Sequence, residues 1–97
     1  LEKHQVSVTQ TSKVSFRNET LDNQVYFYCA NGTQQEQEVT LNFTLLRHVE
    51  LSKKSPFTRK VPPLTEVYFM TLTQKPYFGL SYFQYDYKWR NARKMQR

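Results

Sequence analysis

The sequence predicts an all-β domain, an antiparallel, immunoglobulin-like β-sandwich of about six or seven strands that takes in residues 1–97 as a single domain. Three observations predict it. In residues 78–90, Phe83, Tyr85, Tyr87 and Trp89 alternate with Gln84, Asp86, Lys88 and Arg90. Only a strand sends alternate side chains to opposite faces, so this stretch reads as a long strand with one buried aromatic face. In residues 38–46, Val39, Leu41, Phe43 and Leu45 alternate with polar neighbours in the same way. Finally, turn-forming residues punctuate a series of short apolar runs, and no run has a helical period. A small closed barrel is the structural alternative.

The elements follow in order. His4, Val6 and Val8 alternate within residues 1–11 and suggest a short edge strand, and Val14 and Phe16 repeat the pattern. Residues 19–23 are polar and read as a turn. Residues 24–30 are rich in β-branched and aromatic side chains, as expected of a strand covered on both faces. Asn31-Gly32 follows as a turn signal, since both residue types tolerate positive φ. The alternating strand 38–46 comes next, and Val49 and Leu51 extend it past a break at Arg47-His48. Residues 52–60 read as a loop around Pro56, with Phe57 tucked back on the core. Val61-Pro62-Pro63 is extended, because a residue before proline is pushed out of the helical region. Residues 64–73 form a strand apolar on both faces around Val67, Tyr68, Phe69 and Met70. Residues 74–76 turn into the aromatic strand, and residues 91–97 read as a basic tail or a linker toward a downstream domain.

Ninety-seven residues suffice for one core without staples, and the 15% of aromatic residues compensates for a modest aliphatic content. No apolar run is long enough for a transmembrane helix, and no secretory signal is visible. A single cysteine, Cys29, excludes an internal disulfide and a cysteine-rich zinc site. Between Tyr28 and Ala30 it reads as a buried, inert thiol. The net charge of +6 favours anionic partners, such as cell-wall polymer, nucleic acid or a membrane surface, or else a solvated basic surface. The cations fall into two groups. Lys53, Lys54, Arg59 and Lys60 surround Pro56, and Lys88, Arg90, Arg93 and Lys94 crowd the C-terminus; these eight are the candidate contacts to an anionic partner.

No catalytic or metal-ligating constellation is legible. His4 and His48 stand far apart, without a His-x-His or His-Glu-x-x-His pattern, so no cofactor or metal is expected. Glu36 and Glu38 share a polar strand face and read as solvated. Three Asn-x-Ser/Thr sequons begin at Asn18, Asn31 and Asn42; at turns or on the polar face, they are sterically open to glycosylation. Aromatics interleaved with cations also match the pattern by which small β-domains stack nucleic-acid bases, although an aromatic row of this kind is more often core.

The order of features carries a resemblance. A strand ending at Asn31 precedes an alternating strand, then a basic Ser-Pro-Phe loop, Val61-Pro62-Pro63, an apolar strand, and Tyr82, Tyr85, Tyr87 and Trp89. Over about residues 21–90 this resembles the non-catalytic β-sandwich that precedes the catalytic domain in some bacterial lysostaphin-type zinc metallopeptidases. The family's zinc is held by His-x(3)-Asp and a later His-x-His. Here the positions four after each histidine are Val8 and Ser52, so no catalytic residue carries over. The glycine that usually closes the last hairpin is replaced by Arg90-Asn91. The resemblance implies an accessory domain, not itself an enzyme, from a peptidoglycan-directed peptidase of the periplasm or cell envelope. Its partner would be the downstream peptidase domain or cell-wall polymer. The rivals are a stand-alone module for an anionic ligand and a secreted adhesion domain.

Overall fold

Alternation builds the two faces that meet in the core. The computed structural model describes residues 1–92. Among them are β1 (Gln5–Ser7), β2 (Val14–Leu21), β3 (Gln24–Asn31), β4 (Gln37–Arg47), β5 (Val49–Leu51), β6 (Phe57–Val61), β7 (Thr65–Gln74) and β8 (Tyr82–Asn91). All pairings are antiparallel. One sheet runs β1-β7-β3-β2, with β5 sharing the outer edge of β7, and the other runs β6-β4-β8. The two sheets make an all-β sandwich, as expected. Among the described residues, eight strands replace the six or seven anticipated, because β5 leaves the line of β4 to join the opposite sheet and β6 forms at the end of a stretch that reads as a loop.

Val25, Phe27 and Cys29 of β3 and Val67, Phe69, Met70 and Leu72 of β7 supply one side of the core. Val39, Leu41 and Phe43 of β4 supply the other, with Val61 of β6. Rings close it at the margins, edge to face. Phe27 meets Phe43 at 5.5 Å and Tyr85 at 5.4 Å, and Phe16 meets Phe69 at 5.0 Å. Such contacts add to area burial because ring edges are positive and faces negative.

Several expectations change. Residues 19–21 are strand, and the β2–β3 turn is the two-residue Asp22-Asn23, with Asp22 at φ 56°. The 52–60 loop ends early, since β6 starts at Phe57 and pairs with β4. Phe57 does tuck in, 5.3 Å from Phe69. β7 has a bulge: Phe27 faces Met70 while Tyr28 faces Tyr68, so Phe69 is the extra residue. The bulge lets Phe69 and Met70, adjacent in sequence, both enter the core. A second bulge falls on β4, where Thr44 is skipped between Phe43 and Leu45. It breaks the predicted inward row, and Leu45 is 38% exposed. Phe78 belongs to a short 3-10 turn, and β8 begins only at Tyr82.

The aromatic row of β8 is the largest correction. Phe83, Tyr85 and Tyr87 pack on the core, but Trp89 is 41% exposed. The Tyr87 hydroxyl donates to the carbonyl of Val14, the first residue of β2. Trp89 stands one pleat further on, past the start of β2, and stacks on Tyr87 at 6.1 Å.

Candidate functional site

Strand register defines two unlike ends. At one, Asn31 closes β3 fully buried. Its Nδ2 donates to the carbonyls of Gln35, Val61 and Pro62 at 2.8–3.1 Å, and its Oδ1 accepts from the backbone N–H and the hydroxyl of Thr33. One amide therefore satisfies the carbonyls of two otherwise irregular crossings between strands, groups that would be costly to bury unpaired. Asn31 does not adopt positive φ, contrary to the turn argument from sequence. Gly32 serves close approach instead, as a Cβ there would crowd Thr11 Oγ1 and lie 3.0 Å from the Lys13 carbonyl oxygen and the Thr11 nitrogen. Burial also closes the sequon at Asn31 to glycosylation in the folded state, while Asn18 is exposed and Asn42 half-buried. β8 leaves the sandwich here: Asn91 pairs with Gln37, and Ala92 N–H donates to Glu36.

The opposite end is apolar. Arg47 pairs with Tyr82, Val49 with Gln74 and Gln24 with Thr73, so β4, β5, β3, β7 and β8 all reach it. Tyr77, Phe78 and Leu80, on the connection from β7 to β8, are 74%, 65% and 80% exposed, and Leu45, Leu46 and Tyr82 are exposed beside them. This connection is held from both flanks by His48, where the chain crosses between sheets at φ 55°. The His48 carbonyl accepts from Lys75 N–H at 2.8 Å and from the Ser81 hydroxyl at 3.0 Å, and its Nδ1–H donates to Leu80 O at 3.1 Å. Gly79, at φ 137°, lies against the imidazole, where a Cβ would come within 2.8 Å. Lys75 pairs with Glu50 at 2.8 Å, which lowers the carboxyl's pKa and raises that of the ammonium. Arg47 is exposed at the same end and belongs to no ion pair among the described residues.

The candidate cations distribute unevenly. Lys60, Lys88 and Arg90 come together on the outer face of β6-β4-β8, where Lys60 and Arg90 flank Glu38 in register and Lys88 lies opposite Thr40. Arg90 Nε donates to Glu38 Oε1 at 2.6 Å. Glu38, Thr40, Thr58, Lys88, Trp89 and Arg90 line a shallow depression of about 480 Å³ there. Arg59 points the other way and donates to the Tyr68 carbonyl at 2.9 Å, tying β6 to β7. Lys53 lies over the Phe57 ring at 5.7 Å, and Lys54 is exposed in the same loop. Arg93 and Lys94 lie outside the described residues.

Two further groups are structural. Glu66 accepts from Arg17 Nε and Nη2 at 2.7 and 2.9 Å and from His4 Nε2 at 2.9 Å, clasping β7, β2 and the lead into β1. The Arg17 hydrogen bonds hold its carboxyl below the ordinary value. Burial pushes the Cys29 thiol up to about 12. Among the described residues, no group of three or more His, Cys, Asp or Glu side chains gathers as a metal site.

Sequence reasoning missed the apolar end. Its signal was the string Lys-Pro-Tyr-Phe-Gly-Leu, in which Pro76 and Gly79 break the pleat around Tyr77 and Phe78. Compared with known proteins, the chain matches no family model, no curated protein and no solved structure. Fold and surfaces define an antiparallel β-sandwich domain with one polar and one apolar end.

Proposed function

We propose that this chain is a non-catalytic accessory domain of a bacterial cell-envelope, peptidoglycan-directed metallopeptidase, and that it positions or covers the catalytic domain by docking. The observation that carries this reading is the apolar end. Three large side chains stand in water on a connection that His48 pins at both sides, so little ordering entropy is lost when a partner covers them. With Lys75 and Glu50 paired and large apolar side chains outnumbering the remaining charges, that end suits a folded protein surface better than a polyanion. It lies at the far end of a sandwich about 49 Å long from the exit of β8. The domain can therefore be tethered at one end and grip at the other. The Asn31 clamp joins two of the features on which the resemblance rests, since Asn31 bonds the carbonyls of Val61 and Pro62 in the Val-Pro-Pro turn.

A second reading, a module for an anionic ligand such as cell-wall polymer or nucleic acid, is favoured by the gathering of Lys60, Lys88 and Arg90 on one face. Titration of the chain against the catalytic domain proposed as its partner, purified peptidoglycan and DNA separates the two. Docking through the apolar end is weakly salt-dependent and is lost in Phe78→Ser/Leu80→Ser. Docking through the cations weakens steeply with salt and is lost in Lys60→Glu.

A further inference from the structure

We propose that β8 pairs antiparallel with β8 of a second copy, joining two three-stranded sheets into one across a two-fold axis. β8 is an edge strand of ten residues, without proline or bulge of its own. Such an edge offers a template for another strand, and natural edges of this length are ordinarily interrupted or covered. The other lateral side of the sandwich is blunted: β1 and β5 are three residues each and β6 is five.

The free backbone groups can be assigned. Ala92 N–H donates to Glu36 O on the β4 side. In an antiparallel ladder, alternate residues bond to alternate sides, so Arg90, Lys88 and Asp86 bond toward β4. Among the described residues, Phe83, Tyr85, Tyr87 and Trp89 turn their N–H and C=O groups to the open edge. A two-fold centred on Tyr87 pairs these groups with their own counterparts, setting Tyr85 opposite Trp89.

Side chains select that register. On the outer face it places Lys88 of each copy opposite Asp86 of the other and Arg90 opposite Gln84. Neither Lys88 nor Asp86 belongs to an ion pair among the described residues. Sliding the copies by one repeat of the pleat either way keeps the hydrogen-bonding parity, but sets Asp86 against Asp86 or Lys88 against Lys88. Opposite charges across a strand pair stabilise it, and like charges directly opposite destabilise it. On the inner face the same register gives Tyr85–Trp89 and Tyr87–Tyr87 pairs, which places the half-exposed Trp89 beside an aromatic neighbour. A contact of one patch with its own copy is the isologous arrangement a closed dimer requires.

Sedimentation velocity over a concentration series tests this independently of the proposed function. The chain should form dimers, not larger species. Asp86→Lys and Lys88→Asp, each on the exposed face, should weaken dimerisation about tenfold by turning two opposite-charge pairs into like-charge pairs. The double exchange Asp86→Lys/Lys88→Asp should restore it, and circular dichroism should show all three variants folded. A chain that stays monomeric to its solubility limit, or a dimer indifferent to the single exchanges, overturns the proposal.

Discussion

Asn31 illustrates how one side chain decides a fold's connections. Replacing it with Ala strips the amide partner from three carbonyls and from Thr33, so denaturant unfolding should show a loss of about 3 kcal/mol, since each buried polar group left unpaired costs about 1–3 kcal/mol. Asp should cost at least as much, because it sets carboxylate oxygens against carbonyls; a loss under about 0.5 kcal/mol for either would contradict the clamp. Cys29 should react slowly with thiol reagents in the native state and quickly in denaturant, as burial leaves almost no thiolate at neutral pH. Trp89→Ala should cost about 1–2 kcal/mol, below the about 3–5 kcal/mol of a fully enclosed ring, with native fluorescence already partly solvent-like. The alternation of β8 was legible, but where its neighbour β2 begins was not, and that decides how much of Trp89 is covered.

At the scale of elements, periodicity located β4 and β8, because a half-covered strand imposes its own pattern, while β-branched and aromatic composition located β3 and β7, which are covered on both faces. The bulges at Phe69 and Thr44 were illegible. A bulge is set by what the partner strand offers, and Phe-Met or Phe-Thr in sequence looks like any other step. The short edge strand near Val6 and the strand character of Val49 and Leu51 were legible, but three residues carry too little pattern to show that both β1 and β5 pair with β7. Pairing across elements predicts a pH response. Glu66 has a folded pKa below its ordinary value, so it contributes stability that is present above that value and lost as pH falls through the folded one. Glu66→Gln should flatten the acid limb of a stability–pH profile below about pH 4.5; an unchanged slope would place the acid sensitivity elsewhere. Gly79→Ala should disturb the apolar connection through both its φ and the His48 ring, with a loss above about 1 kcal/mol and changed His48 imidazole resonances. Unaltered resonances would mean that His48 does not hold the connection.

For the whole molecule, fold class follows from composition and pattern, while surfaces follow from which strands become neighbours. Lys60 and Arg90 are thirty residues apart in sequence and meet only because β4 lies between β6 and β8. Arg59, one residue from Lys60, belongs to the opposite face and to the scaffold. The apolar end likewise assembles from the termini of five strands. Its role as a docking surface is the claim that matters most, and a single titration bears on it directly: binding of the chain to the catalytic domain proposed as its partner, at low and high salt. We expect an affinity that changes little with salt, survives Lys60→Glu and is lost in Phe78→Ser/Leu80→Ser, with no hydrolysis by the chain alone. Binding only to peptidoglycan or DNA, falling steeply with salt and indifferent to Phe78 and Leu80, would contradict the account, as would peptide-bond cleavage by the chain itself.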